Sequence, residues 1–212
     1  MTLKLFYDDP YLSAFDAKVT SLQGNQAMLG QTVFFAFSGG QASDAGTIDG
    51  IEVERAECVG DDILYTLREM PLFKEGDQVR VSIDPERRTL LMRLHSATHL
   101  VFILFEKLTG ISKQIGSNVE PQKGRIDYAY DTPINDLLPG LEGQVNGLIA
   151  QDLPIQMGTD PADPAIRLWK MGEWTVPCSG THVRRTGEIG PVQLRRKNIG
   201  RGKERIEITL LS

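Results

Sequence analysis

Two short motifs in this 212-residue sequence hold side chains that commonly bind metal ions. In the first, His95 and His99 stand four residues apart, which on a helix puts both imidazoles on one face with Cβ atoms about 5–6 Å apart. In the second, Cys178 and His182 supply a thiol and a third imidazole. The two motifs contain all three histidines of the chain and one of its two cysteines. Since thiolate and imidazole are ligands of tetrahedral zinc, the sequence predicts that these four residues bind one Zn²⁺ per chain.

Two alternatives for these motifs stay open when the residues are considered alone. A histidine on a helix is more often a core or rim residue than a ligand, so each motif taken separately is weak evidence. Four protein ligands also resemble a closed structural site, whereas a catalytic zinc usually keeps one position open for water or substrate.

The helix that carries His95 and His99 is expected from about Pro85 to Thr109. Asp84 before Pro85 is a typical helix start, and Gly110 is a typical residue just beyond a helix end. A core stripe at helical spacing is formed by Leu91, Leu94, Thr98, Phe102 and Phe105. The two histidines lie along the flank of this stripe, where the rim of a pocket is expected.

Residues 1–83 are expected to form a small N-terminal β-barrel domain, because short strand-like segments alternate there with Gly, Asp and Pro. The expected strands are Lys4–Tyr7, Ala17–Leu22, Gln26–Leu29, Thr32–Phe37, Gly46–Val53, Ile63–Leu67 and Gln78–Ile83. The run from Phe37 to Gly46 contains the pair Gly39 and Gly40, which permits tight turns and close backbone approach to a ligand. A plain hairpin loop is the alternative interpretation.

Residues 84–212 are expected to form a second domain of mixed character, with helices packed on antiparallel strands. Beyond the first helix, the pattern predicts a hairpin over Gln114–Tyr130 and a helix over Leu141–Gln151. Further strands are predicted at Ile166–Met171, Gly190–Arg195 and Arg205–Leu211. The fold class is therefore α+β: a small barrel followed by an antiparallel sheet with helices and a zinc site.

Charge is distributed unevenly along a chain whose formal net charge is −5. Between Arg184 and Arg205, eight basic and two acidic side chains give a net charge of +6, so the remainder carries −11. The basic side chains are Arg184, Arg185, Arg195, Arg196, Lys197, Arg201, Lys203 and Arg205. Such a segment fits a local contact with a polyanion, and a solvated, salt-bridged surface is the alternative.

The remaining sequence features point to a reducing compartment and away from membranes. The two cysteines, Cys58 and Cys178, do not resemble a disulfide framework. The longest apolar run, Leu100–Phe105, is far too short to cross a bilayer, and the N-terminus lacks the apolar core of a secretory signal. A cytoplasmic location is therefore expected.

Several motifs together resemble one known family. They are His-Ser-Ala-Thr-His at 95–99, Gln-Ile-Gly-Ser at 114–117, Cys-Ser-Gly-Thr-His-Val at 178–183, and the runs at 185–190 and 200–207. They resemble the editing domain of alanyl-tRNA synthetases and its freestanding form, the AlaX family. The run from Thr32 to Gly46 resembles the glycine-rich motif of longer AlaX forms, although Ser38 and Ala42 stand where the family usually has Gly and Pro.

This resemblance implies an aminoacyl-tRNA deacylase that removes wrong amino acids, chiefly serine and then glycine, from tRNA(Ala) by zinc-assisted ester hydrolysis. By the same resemblance, Thr32, Gly39, Gly40 and Gln114 would contact the substrate. The basic residues expected to contact tRNA are Arg184, Arg185, Arg196, Lys197, Arg201 and Lys203. No ATP-binding loop motif is found, so action in trans without ATP is expected. The alternatives are threonyl-type tRNA editing, hydrolysis of another small ester or amide, and a zinc module that binds RNA without chemistry.

Overall fold

The computed structural model describes residues 1–211 and divides the chain into two compact units. The first unit comprises Met1–Ser38 and Ala42–Thr89, and the second comprises Gly39–Gln41 and the chain from Leu90 onward. The mixture of antiparallel sheets and helices is the α+β class that the sequence predicts. The predicted domain boundary between residues 83 and 84 stays a prediction, because one long helix begins in the first unit and continues in the second.

The first unit is built from eight strands, six of which pair in a closed antiparallel cycle. The strands are β1 (Leu3–Lys4), β2 (Ala14–Gln23), β3 (Gln26–Leu29), β4 (Gln31–Thr32), β5 (Gly46–Ile48), β6 (Ile51–Val59), β7 (Asp62–Leu67) and β8 (Gln78–Ile83). The cycle runs β2-β3-β7-β6-β5-β8, and β1 pairs with β4 outside it. Buried residues alternate with half-buried ones along β7 and with more exposed ones along β8, so apolar residues such as Ile63, Tyr65 and Val81 fill the interior.

One predicted strand of the first unit, Thr32–Phe37, is wrong beyond its first residue. Strand β4 ends at Thr32, and the residues that follow are irregular although most of them are buried. Side-chain oxygens replace the missing strand partners: Thr32 Oγ1 accepts from Phe34 N at 2.9 Å, and Asp44 Oδ2 accepts from Phe35 N at 2.7 Å. Local bonds of this kind compete with a strand ladder and cannot be seen in a pattern of apolar residues.

Two other predicted strands also differ from the structure. The run Gly46–Val53 is a hairpin, in which Asp49 and Gly50 form a two-residue turn with φ values of 51° and 82°. Positive φ at both positions belongs to a type I′ turn, for which Asp-Gly is a favoured sequence. Lys4–Tyr7 is strand only up to Lys4, and a 3-10 helix over Leu5–Tyr7 follows.

The helix α1 (Pro85–Thr109) confirms the predicted bounds. Asp84 Oδ1 accepts from the backbone N–H groups of Glu86 and Arg87 at 2.9 and 3.1 Å, which is the N-cap arrangement. Gly110 follows the last turn with a φ of 74°, where a side chain would be strained. Every residue from Leu94 to Val101 is buried, so α1 is enclosed on all sides where it carries His95 and His99.

In the second unit, two antiparallel sheets accompany α1. The strands are β9 (Gln114–Glu120), β10 (Lys123–Ala129), β11 (Gln156–Thr159), β12 (Arg167–Met171), β13 (Trp174–Pro177), β14 (Val192–Asn198) and β15 (Lys203–Leu210). Their orders are β14-β15-β10-β9 and β11-β12-β13. Helix α2 (Leu138–Ala150) begins three residues before the prediction, because Pro139 occupies its first turn and needs no hydrogen-bond partner there.

The four-stranded sheet has one apolar and one polar face. Alternate residues such as Ile126, Tyr128, Ile206 and Ile208 are buried, and Tyr128 stacks on Phe105 of α1 with ring centroids 4.1 Å apart.

Among residues 1–211, no helix combines the length and the apolar character needed to cross a membrane.

Candidate metal centre

The structure brings the four predicted ligands together in the second unit. The ligand atoms of His95, His99, Cys178 and His182 all lie within 4.8 Å of one another. Cys178 Sγ lies 3.5 Å from His95 Nε2 and 3.6 Å from His182 Nε2, and the Nε2 atoms of His99 and His182 are 3.1 Å apart. Three nitrogens and one sulfur converging on one point make a cluster that is able to bind a metal ion.

Helix α1 and strand β12 position the imidazoles of His95 and His99. The rings of His95 and His99 are nearly parallel, with an interplanar angle of 11° and centroids 5.1 Å apart. Trp169 of β12 also stacks on His99, with ring centroids 4.8 Å apart and an interplanar angle of 18°. Because the buried indole backs the imidazole, the ring of His99 has little freedom to turn away from the cluster.

A short loop after β13 supplies the other two ligands. Its start is anchored by Cys178 N, which donates to Arg167 O at 2.8 Å. Its end is anchored by Val183 N, which donates to Ser96 Oγ of α1 at 3.2 Å. Between the two anchors, Gly180 N donates to Cys178 Sγ at 3.4 Å, so the loop turns around the sulfur it carries.

Burial sets the protonation of the metal-free cluster. It lowers the pKa of His95 to about 4 and, with the added influence of the neighbouring imidazoles, holds the pKa values of His99 and His182 well below 6.5. The three imidazoles are therefore neutral near pH 7, which is the form that binds metal ions. Burial raises the pKa of the Cys178 thiol to about 11, against the opposing effect of the Gly180 N–H, so a metal ion must displace the thiol proton.

A cavity of about 130 Å³ adjoins the cluster. Its lining comprises Gly39, His95, Thr98, His99, Phe102, Gln114, Ser117, Val176, Pro177 and Cys178. This volume is well below the roughly 300–1,000 Å³ of pockets for drug-sized ligands, and it suits a group the size of a small amino acid. Gln114 and Ser117 give the wall hydrogen-bonding groups, whereas Phe102, Val176 and Pro177 are apolar.

Comparison with known proteins adds a relative of nearly the same length. Over 216 residues the chain is 34% identical to the "Alanyl-tRNA editing protein AlaX-M" of Pyrococcus horikoshii, and the match covers 99% of this chain and 98% of that protein. The chain belongs to the AlaX family of freestanding alanyl-tRNA editing proteins.

Two other relatives are larger proteins, in which the region similar to this chain is only one part. The chain is 32% identical to the alanine–tRNA ligase of Sulfurisphaera tokodaii and 34% identical to that of Methanoculleus marisnigri, each over 219 residues. These matches cover 91% of this chain but 24% of each ligase. Residues 166–207, which include Cys178 and His182, also match the family described as "Threonyl and Alanyl tRNA synthetase second additional domain".

Of the four residues expected to contact substrate, two line the cavity and two are packed elsewhere. Gly39 and Gln114 line the cavity beside the metal cluster. Gly40 packs against β9, where a Cβ would meet Ser117 O at 2.8 Å, and its φ of 85° also favours glycine. Thr32 is in the first unit, fully buried, and its hydroxyl oxygen accepts from Phe34 N and, at 2.6 Å, from the Tyr65 hydroxyl.

The six basic residues expected to contact tRNA comprise two that are paired with carboxylates, three near one turn, and Arg184. Arg185 Nε is held by Asp152 Oδ2 at 2.7 Å, and Arg196 forms two 2.5 Å bonds with the carboxylate of Glu204. Lys197, Arg201 and Lys203 are exposed near the turn between β14 and β15. Arg184 is exposed as well.

Proposed function

We propose that this AlaX protein hydrolyses the ester bond of mischarged tRNA(Ala), chiefly Ser-tRNA(Ala) and also Gly-tRNA(Ala), with one Zn²⁺ as its cofactor. Membership of the AlaX family makes the chain an aminoacyl-tRNA deacylase, which is a hydrolase. The observation that carries the finer proposal is the cluster of His95, His99, Cys178 and His182 beside a cavity of amino-acid size. We place the activity in the cytoplasm, as the sequence predicts.

The spacing of the ligand atoms supports zinc as the metal. Zinc bonds of about 2.3 Å to sulfur and 2.0–2.1 Å to nitrogen, at tetrahedral angles, put sulfur and nitrogen about 3.6 Å apart and two nitrogens about 3.3 Å apart. The distances from Cys178 Sγ to His95 Nε2 and His182 Nε2 are 3.5 and 3.6 Å, and the Nε2 atoms of His99 and His182 are 3.1 Å apart. One thiolate and three imidazoles are also a donor set typical of zinc.

The physical need for such an enzyme comes from the small difference between serine and alanine. A pocket built for alanine cannot strongly reject a side chain that adds one hydroxyl, so a second site must remove the error. A site that hydrogen-bonds this hydroxyl selects serine, because alanine would leave a buried polar group unpaired. The resemblance to AlaX proteins makes Thr32 our candidate for this role; in the first unit its side chain is fully buried, and Phe34 N and the Tyr65 hydroxyl donate to its oxygen.

The side chains around the cavity provide for binding and for the exclusion of water. When bound, the zinc ion supplies a Lewis acid that polarises the ester carbonyl or lowers the pKa of water. Gln114 and Ser117 offer donors and acceptors that orient the aminoacyl group. Phe102, Val176 and Pro177 make the rest of the lining partly apolar, which disfavours bulk water beside the ester. The imidazoles need no deprotonation before they bind the metal, because burial already keeps them neutral.

Deacylation of charged tRNA(Ala) tests the proposal. We expect release of serine, slower release of glycine, and little release of alanine, with loss of activity in a chelator and recovery on addition of zinc. Cys178→Ala should lose both zinc and activity. Cys58→Ala is the matched control, because Cys58 is the other cysteine and is exposed outside the cluster. If zinc and RNA bind but no ester is cleaved, the protein is a binding module. Selective deacylation of mischarged tRNA(Thr) would instead indicate threonyl-type tRNA editing.

For the tRNA surface, we propose that Lys197, Arg201 and Lys203 contact phosphates, because these exposed side chains lie close together near the turn between β14 and β15. Arg185 and Arg196 are retained as weaker candidates, since carboxylates already bind their guanidinium groups. Arg184, which is exposed, is a further candidate.

Replacing Lys197, Arg201 and Lys203 together by Ala should raise the KM for charged tRNA and leave the zinc content unchanged. Each lost phosphate contact should reduce the salt dependence of binding by about one unit of slope. The matched control removes three exposed lysines elsewhere, Lys18, Lys74 and Lys107, for the same change in net charge. If the control raises KM and the first variant does not, tRNA binds another surface, such as the barrel.

A further inference from the structure

Gln41 is a buried polar residue that belongs to neither the ligand set nor the cavity wall. Its side chain is 0% exposed. Gln41 Oε1 lies 2.8 Å from His95 Nδ1 and also accepts from Thr181 N at 3.0 Å, while Gln41 Nε2 donates to Thr181 Oγ1 at 2.9 Å. All three hydrogen bonds therefore go to the two segments that carry the metal ligands.

The glycine pair explains how the loop can deliver this side chain. Val119 N donates to Gly40 O at 2.8 Å, and Gln41 forms a parallel bridge with Val119 of β9. Any side chain at residue 40 would collide with the backbone of Ser117, since a Cβ there would lie 2.8 Å from its carbonyl oxygen. Gly40 thus allows the loop to pack on β9 through a single parallel bridge, with the Gln41 side chain directed at His95.

The orientation of the Gln41 amide determines which nitrogen of His95 carries the proton. The backbone N–H of Thr181 can only donate, so the amide oxygen must face it. The same oxygen faces His95 Nδ1, and this contact is a hydrogen bond only when Nδ1 is protonated. In a neutral imidazole the lone pair is then on Nε2, which is the atom that lies 3.5 Å from Cys178 Sγ.

We propose that Gln41 is a positioning residue of the metal centre, which fixes the tautomer and ring orientation of His95 and holds α1 to the Cys178–His182 loop. The proposal rests on the metal site of the proposed function. A partner of this type raises the affinity of a site by preorganising its ligands, and its loss typically costs about 10–100-fold in metal affinity.

Zinc affinity of the full chain, measured by competition with a chromophoric chelator, tests the proposal with two variants. Gln41→Leu has a similar size but accepts no hydrogen bond, so we expect zinc to bind about 10–100-fold more weakly. Gln41→Glu still accepts from His95 and Thr181, so its affinity should stay within a few-fold of the wild-type value. Ser38→Ala, at the exposed start of the same loop, is the matched control and should bind zinc as the wild type does.

A second measurement does not depend on the folding of any variant. Long-range ¹H–¹⁵N spectra of the metal-free wild-type protein near pH 7 should show His95 as the Nδ1–H tautomer. Wild-type zinc affinity in Gln41→Leu, equal losses in the Leu and Glu variants, or an Nε2–H tautomer in the wild type would each overturn the proposal. Failure of the wild-type protein to bind zinc would instead contradict the proposed function, while the tautomer measurement would still test the hydrogen bond.

Discussion

Replacing Gly180 by Ala should lower the zinc affinity of the protein by about 100-fold or more and reduce deacylation accordingly. A Cβ at residue 180 would lie 2.2 Å from Cε1 and 2.5 Å from Nδ1 of His95, and 2.7 Å from Gln41 Oε1. These distances are too short for any side chain, so the imidazole must move or the ligand loop must retreat. Either change displaces a ligand, and even the loss of a supporting hydrogen bond costs about 10–100-fold.

The neighbouring residue provides a control for this prediction. Ser179 lies in the same loop and is exposed, so Ser179→Ala changes the loop composition without a collision. Chelator competition and a deacylation assay on both variants, with circular dichroism to verify folding, give the comparison. Zinc binding by folded Gly180→Ala at the wild-type affinity would contradict the geometry of the loop.

Local spacing made the cluster of His95, His99, Cys178 and His182 predictable. The helix geometry fixes the relative placement of His95 and His99, and the caps at Asp84 and Gly110 fixed the helix bounds in advance. Cys178 and His182 are close in sequence, so one turn suffices to bring both to a common point. The sequence also contains no other histidines, which left few alternatives for the ligand set.

The contribution of Gln41 could not be predicted from local patterns. Its bond to Thr181 joins residues 140 positions apart, and no periodicity or motif spacing encodes such a contact. The available signal was the glycine pair before it, which permits close backbone approach but is also typical of a plain hairpin loop. The resemblance to AlaX proteins places Gly39 and Gly40 near a substrate, and this stays a prediction; in the structure Gly39 lines the cavity, while Gly40 packs on β9 beside Gln41, which contacts His95.

The first unit shows a similar limit on prediction. Residues Val33–Ala36 are apolar and buried, and this composition indicates a strand. The backbone is irregular because nearby side chains satisfy it, among them Asp44, whose carboxylate accepts from Phe35 N. A charged residue at a buried position gives no apolar signal, so the sequence did not reveal Asp44 as part of the interior.

Asp44→Ala should reduce the free energy of unfolding by about 3–5 kcal/mol, because it would leave the charge of Arg88 buried without its partner. The two side chains are 0% and 2% exposed, and Arg88 Nε donates to Asp44 Oδ1 at 3.0 Å while Nη2 contacts Oδ2. The guanidinium also donates to Val33 O at 2.6 Å and Pro10 O at 2.7 Å. The pair therefore supplies hydrogen bonds to both the N–H and C=O groups of the irregular segment, at Phe35 N and Val33 O. Urea denaturation followed by circular dichroism measures the loss in the free energy of unfolding.

An exposed pair in the same unit serves as the control. Asp16 and Arg80 are joined at 3.0 Å, but their side chains are 66% and 54% exposed, so Asp16→Ala should change stability little. The double variant Asp44→Ala with Arg88→Met removes both buried charges, so its loss should be smaller than the sum of the two single losses. Additive losses would mean that Asp44 acts through its bond to Phe35 N alone. A loss in Asp44→Ala no larger than that in Asp16→Ala would show that the buried pair contributes little to the fold.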